Sequence, residues 1–433
     1  MNEKGQPLPS RDSAPGRSPL TVIFLTVFID LIGFGIILPL GPYLALQHHA
    51  SAMQVGLLMS VYSAAQFLFS PFWGGLSDRI GRRPVILVSL FGGALSYLLF
   101  AFADSLWLLF VARALAGAFG GNISAAHAYI ADVTKPEERS KGMGLIGAAF
   151  GLGFIFGPVM GGVLGSLGQR WGSAPPFGLS LAALGASALC FGNFILATFR
   201  LRESLSAEAR AMAIAAGGGT SWARRLAARF QDIGRQARRP IAGPLVAVFF
   251  LSGLAMAQME SMLFPFMADR FGWGMRDASY GFAYVGVLMV IVQGYLIRKW
   301  TPKYGEPALL TTGLLLFSVS LFAIAGSGVI PLLAVAMTVL AVGNGLMRPP
   351  NLGMISLLTP ASEQGAAMGV TNSLASLGRI AGPVLGGWLY EHAGTGSPFV
   401  AAGLFAAGAL AISAKLYPSL PATGRAAVAQ EDR

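Results

Sequence analysis

The sequence predicts an all-α membrane protein with twelve transmembrane helices in two six-helix bundles and both termini cytoplasmic. Three observations carry that expectation. Of the 433 residues 54% are hydrophobic and 11% charged, where about a quarter of a soluble domain is charged. Apolar stretches of spanning length recur twelve times, and short motifs of the first half return in the second. The net charge of +11 is not gathered on one face, as a nucleic-acid footprint requires, so no nucleic-acid partner is expected. A single cysteine, Cys190, excludes a disulfide framework.

Taken in order, the tail 1–18 is rich in Pro, Ser and charge and is expected to be disordered. Apolar runs near 20–46, 53–76, 84–103, 106–131, 141–166 and 176–199 form a bundle over 19–199. The first run is too long for a signal-peptide core and lacks an A-x-A site, so it reads as a retained span. Helices are expected because a lipid-exposed backbone must satisfy its own hydrogen bonds, and about 20 residues at 1.5 Å each cross the hydrocarbon. Runs near 241–268, 279–298, 307–326, 330–357, 364–390 and 397–416 give the second bundle over 241–417, followed by a cytoplasmic tail at 418–433.

Between the bundles, residues 200–240 form a cytoplasmic linker. Trp222, Leu226, Phe230 and Ile233 recur there at helical spacing among Arg224, Arg225, Arg229, Arg235, Arg238 and Arg239. That pattern predicts a basic amphipathic helix in the interface of the cytoplasmic leaflet, with a solvated tether as the other reading. Of the 30 Lys and Arg, only Arg170, Arg270 and Arg276 fall in the opposite loops, and only Arg113, Arg348 and Arg379 within spans. The positive-inside bias therefore puts the linker and both termini in the cytoplasm, in a multi-pass protein of the cytoplasmic membrane.

Three motifs stand out. The loop after the second span reads Gly74-Gly75-Leu76-Ser77-Asp78-Arg79-Ile80-Gly81-Arg82-Arg83-Pro84, and a weaker copy without its acid, ending Lys303-Tyr304-Gly305, follows the eighth. Gly157-Pro158-Val159-Met160-Gly161-Gly162 returns as Gly382-Pro383-Val384-Leu385-Gly386-Gly387, and Met143-Gly144 returns as Met368-Gly369 at the same offset, the trace of two fused half-transporters. In the fifth span, small residues stand four apart at Gly147/Gly151, Gly153/Gly157, Gly157/Gly161 and Gly161/Gly165, which lets helices approach closely, while Pro158 can kink the span.

Together these features resemble the major facilitator superfamily over about Leu20 to Leu416. The fifth-span series with Gly153, Gly157, Pro158, Gly161 and Gly162 resembles the signature of its twelve-span drug:proton antiporters. Phe28 to Pro39 and Tyr129 to Thr134 are similar to the tetracycline-efflux branch and its multidrug relatives. The resemblance implies a proton-coupled exporter of small amphipathic compounds, with the proton gradient as energy source and no cofactor. Its partners are a small-molecule substrate, protons and the lipid bilayer, and it is expected to be a monomer. This chain has Ser96 where that branch's tetracycline exporters carry a third-span carboxylate, and its ninth span has no acid, so tetracycline is not expected as principal substrate.

Five ionisable residues lie within spans: Asp30, Arg113, Glu260, Arg348 and Arg379. Each costs about 2.5 to 3.5 kcal/mol at a helix centre by insertion scales, so each needs a cavity or a partner. Asp30 and Glu260 fall in spans one and seven, which line the cavity in the resembled family; Asp30, within the matching antiporter motif, is the first expected proton carrier, and Glu260 is expected as a proton carrier or a cation-binding acid. Arg113 matches that family's buried fourth-span arginine and is expected to tune Asp30. Arg348 and Arg379 are candidates to pair with Glu260 or to anchor a substrate carboxylate, which would suit a carrier of an anionic metabolite on the same fold. Gln66, Asn122, His127, Gln258, Gln293, Asn344 and Asn372 are further candidates for a polar cavity wall. By resemblance Gly74, Asp78, Arg79, Arg82 and Asp132 form a cytoplasmic gate, with Asp78 beside Ser362 and Glu363 at the start of span eleven and Arg82 reaching Asp132.

Gly142-Met143-Gly144-Leu145-Ile146-Gly147 fits a dinucleotide fingerprint by letter only, since no strand precedes it. No Walker loop, H-E-x-x-H, G-x-S-x-G or Cys/His metal spacing occurs, so neither catalysis nor a metal centre is expected. A transporter-like sensor is the remaining alternative, and the chain offers no receiver segment for it.

Overall fold

The computed structural model describes residues 19–134, 139–208, 210–211, 222–359 and 364–420. The tail 1–18, most of the tail 418–433, and Ser362 and Glu363 lie outside the described residues. Among those described every regular element is helical. The first half comprises α1 (Pro19–Gln47), α2 (Ala52–Ile80), α3 (Arg82–Ala101), α4 (Leu106–Phe119), α5 (Ile123–Val133), α6 (Arg139–Gly168) and α7 (Leu181–Arg200). The linker forms α8 (Trp222–Ala237). The second half comprises α9 (Ala242–Phe271), α10 (Met275–Ile291), α11 (Ile297–Tyr304), α12 (Glu306–Ala325), α13 (Ile330–Leu357), α14 (Gln364–Ala393) and α15 (Ser397–Leu416).

Two spans depart from unbroken helix. The fourth is α4 and α5 joined through a 3-10 turn at Gly120–Asn122, and the eighth is α10 and α11 joined through a π turn at Val292–Leu296. Counted through these turns, eleven spans among the described residues are long and apolar enough to cross a membrane. The twelfth long helix, α14, matches them in length at 30 residues.

The helices pair alike in the two halves: α1 packs on α6 as α9 packs on α14, and α3 on α7 as α12 on α15. The repeated Gly-Pro motif explains why. A Cβ on Gly157 would lie 2.5 Å from the Gly35 Cα, and one on Gly382 would lie 2.9 Å from the Gln258 nitrogen and the Leu254 oxygen, so only glycine lets α6 reach α1 and α14 reach α9. The last glycine of each copy faces the other half: Gly162 abuts Ser279 on α10, and Gly387 abuts Ala52 and Met53 on α2. One motif thus builds both the inside of each bundle and the seam between them.

Turns mark the same symmetry. Gly81, between α2 and α3, has φ 110°, and Gly305, between α11 and α12, has φ 79°, conformations that L side chains rarely adopt. At Gly81 a Cβ would also strike the Glu203 carboxylate at 2.3 Å.

Candidate functional site

We call the side bearing Arg79, Arg82, Arg83 and α8 the basic face and the other the outer face. Contacts between the halves run along the outer part of both seams. Tyr43 donates to the Trp273 carbonyl at 2.8 Å, Ser60 donates to the Ile380 carbonyl at 2.7 Å, and the Met53 amide donates to Glu391 Oε1 at 2.8 Å. Ser51 and Gln54 close a capping box at the start of α2, so Glu391 arrives from α14 as an anion at an already capped helix N-terminus, where the dipole favours it. Exchanging Glu391 for Gln is expected to lower the outer-closed population a few-fold, the scale of one exposed charge at a helix end. Spin-label distances between Asp104→Cys and Gly328→Cys, on outer loops of opposite halves, check it.

The mid-span charges gather in one layer around Tyr62, on α2. The Arg113 guanidinium is 1% exposed, lies 4.7 Å over the Tyr62 ring, and has Nη2 3.8 Å from the Met59 sulfur. Its Nε and Nη1 have no partner among the described residues. Asp30 and, from the opposite half, Arg379 lie within electrostatic range of the same tyrosine. Glu260 is in range of both Arg348 and Arg379. Asp30, Glu260 and Arg379 are half-buried, while Arg348 is exposed. Tyr62 also meets Phe34, with ring centroids 5.0 Å apart, and Phe34 meets Phe154 at 6.1 Å, so an aromatic wall stands on the first half.

The other polar candidates divide. Gln293, on the π turn, and Asn372 are exposed. Gln66 is half-buried and donates to the Gly120 carbonyl at 2.9 Å, fixing the 3-10 turn. His127 turns Nδ1 onto the Ile123 carbonyl of its own helix at 2.9 Å. Gln258 is fully buried and donates to the Pro398 carbonyl, so it ties α9 to α15 and faces away from the other half. Asn344 is buried with Nδ2 3.7 Å from the Met289 sulfur. The Asn122 side chain lies outside the described ones. Ser96 is buried and bonds back to the Gly92 carbonyl at 2.7 Å.

At the basic face Arg82 is the hub. It reaches Asp78 at 2.5 Å and Asp132 at 3.2 Å, and donates to Ser77 Oγ at 2.8 Å. Gly74 lies against Ser124, and Arg79 is exposed. Sequence reasoning missed Glu203, just beyond α7, which accepts from the Arg82 and Arg83 amides at 2.8 and 3.2 Å and so caps α3. Ser204 adds a 2.9 Å bond to Asp132, which locks this loop to the linker's first residues.

The linker helix α8 is not laid out on the bundle's rim alone: it packs against α2, α9 and α14, and so touches both halves. Arg229 sits 5.6 Å over the Phe67 ring with Nη2 3.4 Å from Ser70 Oγ, and Phe230 meets Phe67 edge-on at 6.0 Å. Phe230, one member of the stripe read from the sequence, is thus spent on protein.

The family model described as Major Facilitator Superfamily matches residues 23–305 and 299–432. A tetracycline resistance protein, class C, of Escherichia coli is 32% identical over 379 residues, covering 85% of this chain and 89% of that protein. The human major facilitator superfamily domain-containing protein 10 is 29% identical over 436 residues, 92% and 93% of the two chains. Among solved structures, the human organic anion transporter MFSD10 (TETRAN) aligns with TM-score 0.68 and 26% identity over 93% of this chain and 100% of that one. A bacterial homologue of the lysosomal transporter Spinster, inward-facing and unoccupied, aligns with TM-score 0.75 at 16% identity over 94% and 98%, a likeness of fold.

Proposed function

Because this chain belongs to the major facilitator superfamily, among relatives of the drug-efflux kind, it is a multi-pass transporter of the inner membrane, and we propose that it exports small amphipathic compounds in exchange for protons. The observation that carries the reading is the layer around Tyr62. Asp30, Arg113 and Arg379 lie in range of Tyr62, and Glu260 and Arg348 adjoin them through Arg379, while the outer seam above is closed.

In this reading Asp30 is the principal proton carrier. The half-rigid seams, built from glycine contacts, let the two bundles rock about that layer so that it meets either side in turn. Arg113, stacked on Tyr62 and lacking a carboxylate hydrogen bond among the described residues, is poised to respond when Asp30 changes charge. Substrates other than tetracycline suit the site best, because the third-span position carries a serine whose hydroxyl is turned into its own helix. A resistance and accumulation screen of dyes, antibiotics and metabolites in a hypersensitive host, with Asp30→Asn as inactive control, tests the reading. Flat results for every compound would move it to a dedicated metabolite carrier, which Arg348 and Arg379 favour if the metabolite is anionic.

The Asp78–Arg82–Asp132 cluster lies within the first half, where Arg82 holds Asp78 in place; it is proposed to present Asp78 to the start of span eleven, latching the two halves when the basic face is shut. Asp78→Asn removes the anion that would meet that helix start, so the outward-open population is expected to fall and transport to weaken several-fold. Unchanged label distances in this variant would rule the latch out.

A further inference from the structure

The arginines of the second half outnumber their acid. Arg348, on α13, lies about 14 Å from that helix's basic-face end, and Arg379, on α14, about 22 Å from its own, at 1.5 Å per residue. Both are deep in the membrane layer. They are near enough to feel each other's charge, and each feels Glu260. Yet neither makes an ion pair within 4.0 Å among the described residues. Arg379 donates to Ser376 Oγ at 3.2 Å, and Arg348 has no hydrogen bond among them. Most donors of two guanidinium forks are therefore free, and Glu260 can cancel only one of the two charges.

Two planar forks in a membrane layer, one of them exposed, fit an anion better than any other ligand: a carboxylate matches the fork geometry and neutralises the charge. Across from them stands the aromatic wall of Phe34, Tyr62 and Phe154, with Phe34 and Phe154 half-buried; Ser60, two residues before Tyr62, donates to the Ile380 carbonyl next to Arg379 at 2.7 Å, which brings the wall to α14. A ligand that spans the gap has a flat apolar body and one negative end.

We propose that Arg348 and Arg379 anchor the carboxylate of an aromatic, amphipathic substrate, and that Glu260 stands in for that carboxylate when the site is empty. The proposal rests on the layer around Tyr62 being the transport site and names the substrate's charge. Asp30, across the seam, is left to carry the exchanged proton, while Glu260 keeps the empty site from holding two bare positive charges.

Equilibrium titration of the purified full-length protein in lipid nanodiscs with 1-naphthoate, 1-naphthamide and 1-naphthylmethylammonium tests it. The naphthoate is expected to bind about tenfold or more tightly than the amide, as a charge-assisted pair over a neutral one. Arg348→Gln and Arg379→Gln should each erase that preference, with a single symmetric elution peak and an unchanged melting temperature reporting that the variants are folded. Glu260→Gln, by removing the stand-in, should tighten naphthoate. Equal affinity for all three, tighter binding of the cation, no binding of any, or a preference that survives in both arginine variants overturns the proposal. These readouts involve no proton movement, so a naphthoate preference without coupled flux would leave the anchor standing and refute only proton exchange.

Discussion

Asp30→Asn is expected to abolish gradient-driven transport while leaving substrate binding nearly intact. The amide is isosteric with the acid but exchanges no proton, and loss of a proton-transferring side chain commonly costs a hundredfold or more. Shape should survive the change. Asp30 is half-buried on α1, one residue before Leu31, whose backbone would lie 3.0 Å from a Cβ at Gly153, so the helix is held by close packing that the substitution does not touch. Efflux measured against binding separates the outcomes. Loss of both together would make Asp30 a structural acid, and retained efflux would shift the proton to Glu260.

The second large effect comes from a single methyl-bearing carbon at Gly56. A Cβ there would lie 2.2 Å from the Pro383 carbonyl oxygen of α14, far inside any tolerated contact. Gly56 and Pro383 belong to opposite halves, so the clash is relieved when the outer seam opens. Gly56→Val is therefore expected to trap the protein open to the outer face. Overpacking costs of about 1 to 3 kcal/mol correspond to population shifts of roughly five- to more than a hundredfold. Labels at Asp104→Cys and Gly328→Cys should report the longer distance, and the buried Cys190 leaves the labelling clean. Gly157 makes the contrast. Its Cβ would meet Gly35 within one half at 2.5 Å, where rocking gives no escape, so Gly157→Val is expected to lose folded protein.

Much of this architecture is legible in the sequence because lipid imposes one solution on the backbone and because a fused repeat writes itself twice. Gly157 and Gly382 could be paired by letter before any helix was placed. What stayed hidden depends on distant partners. Glu203 caps α3 across more than a hundred residues, and Glu391 caps α2 from the other half, and neither bond leaves a local pattern. Polarity alone marked Gln258 for the cavity, yet a glutamine satisfies itself equally well on a neighbouring helix, here at the Pro398 carbonyl. The stripe on α8 was visible, but an apolar stripe among arginines suits a lipid interface and a protein groove alike, and only the contacts of Arg229 and Phe230 with Phe67 distinguish them.

The central claim is that the layer around Tyr62 couples a proton to substrate movement. Substrate-induced proton flux in proteoliposomes holding an imposed pH gradient tests it most directly, using a compound identified by the resistance screen. Proton movement opposite to the compound, lost in Asp30→Asn, is the predicted result. Transport with no accompanying proton flux, or flux that persists unchanged in Asp30→Asn, would contradict it.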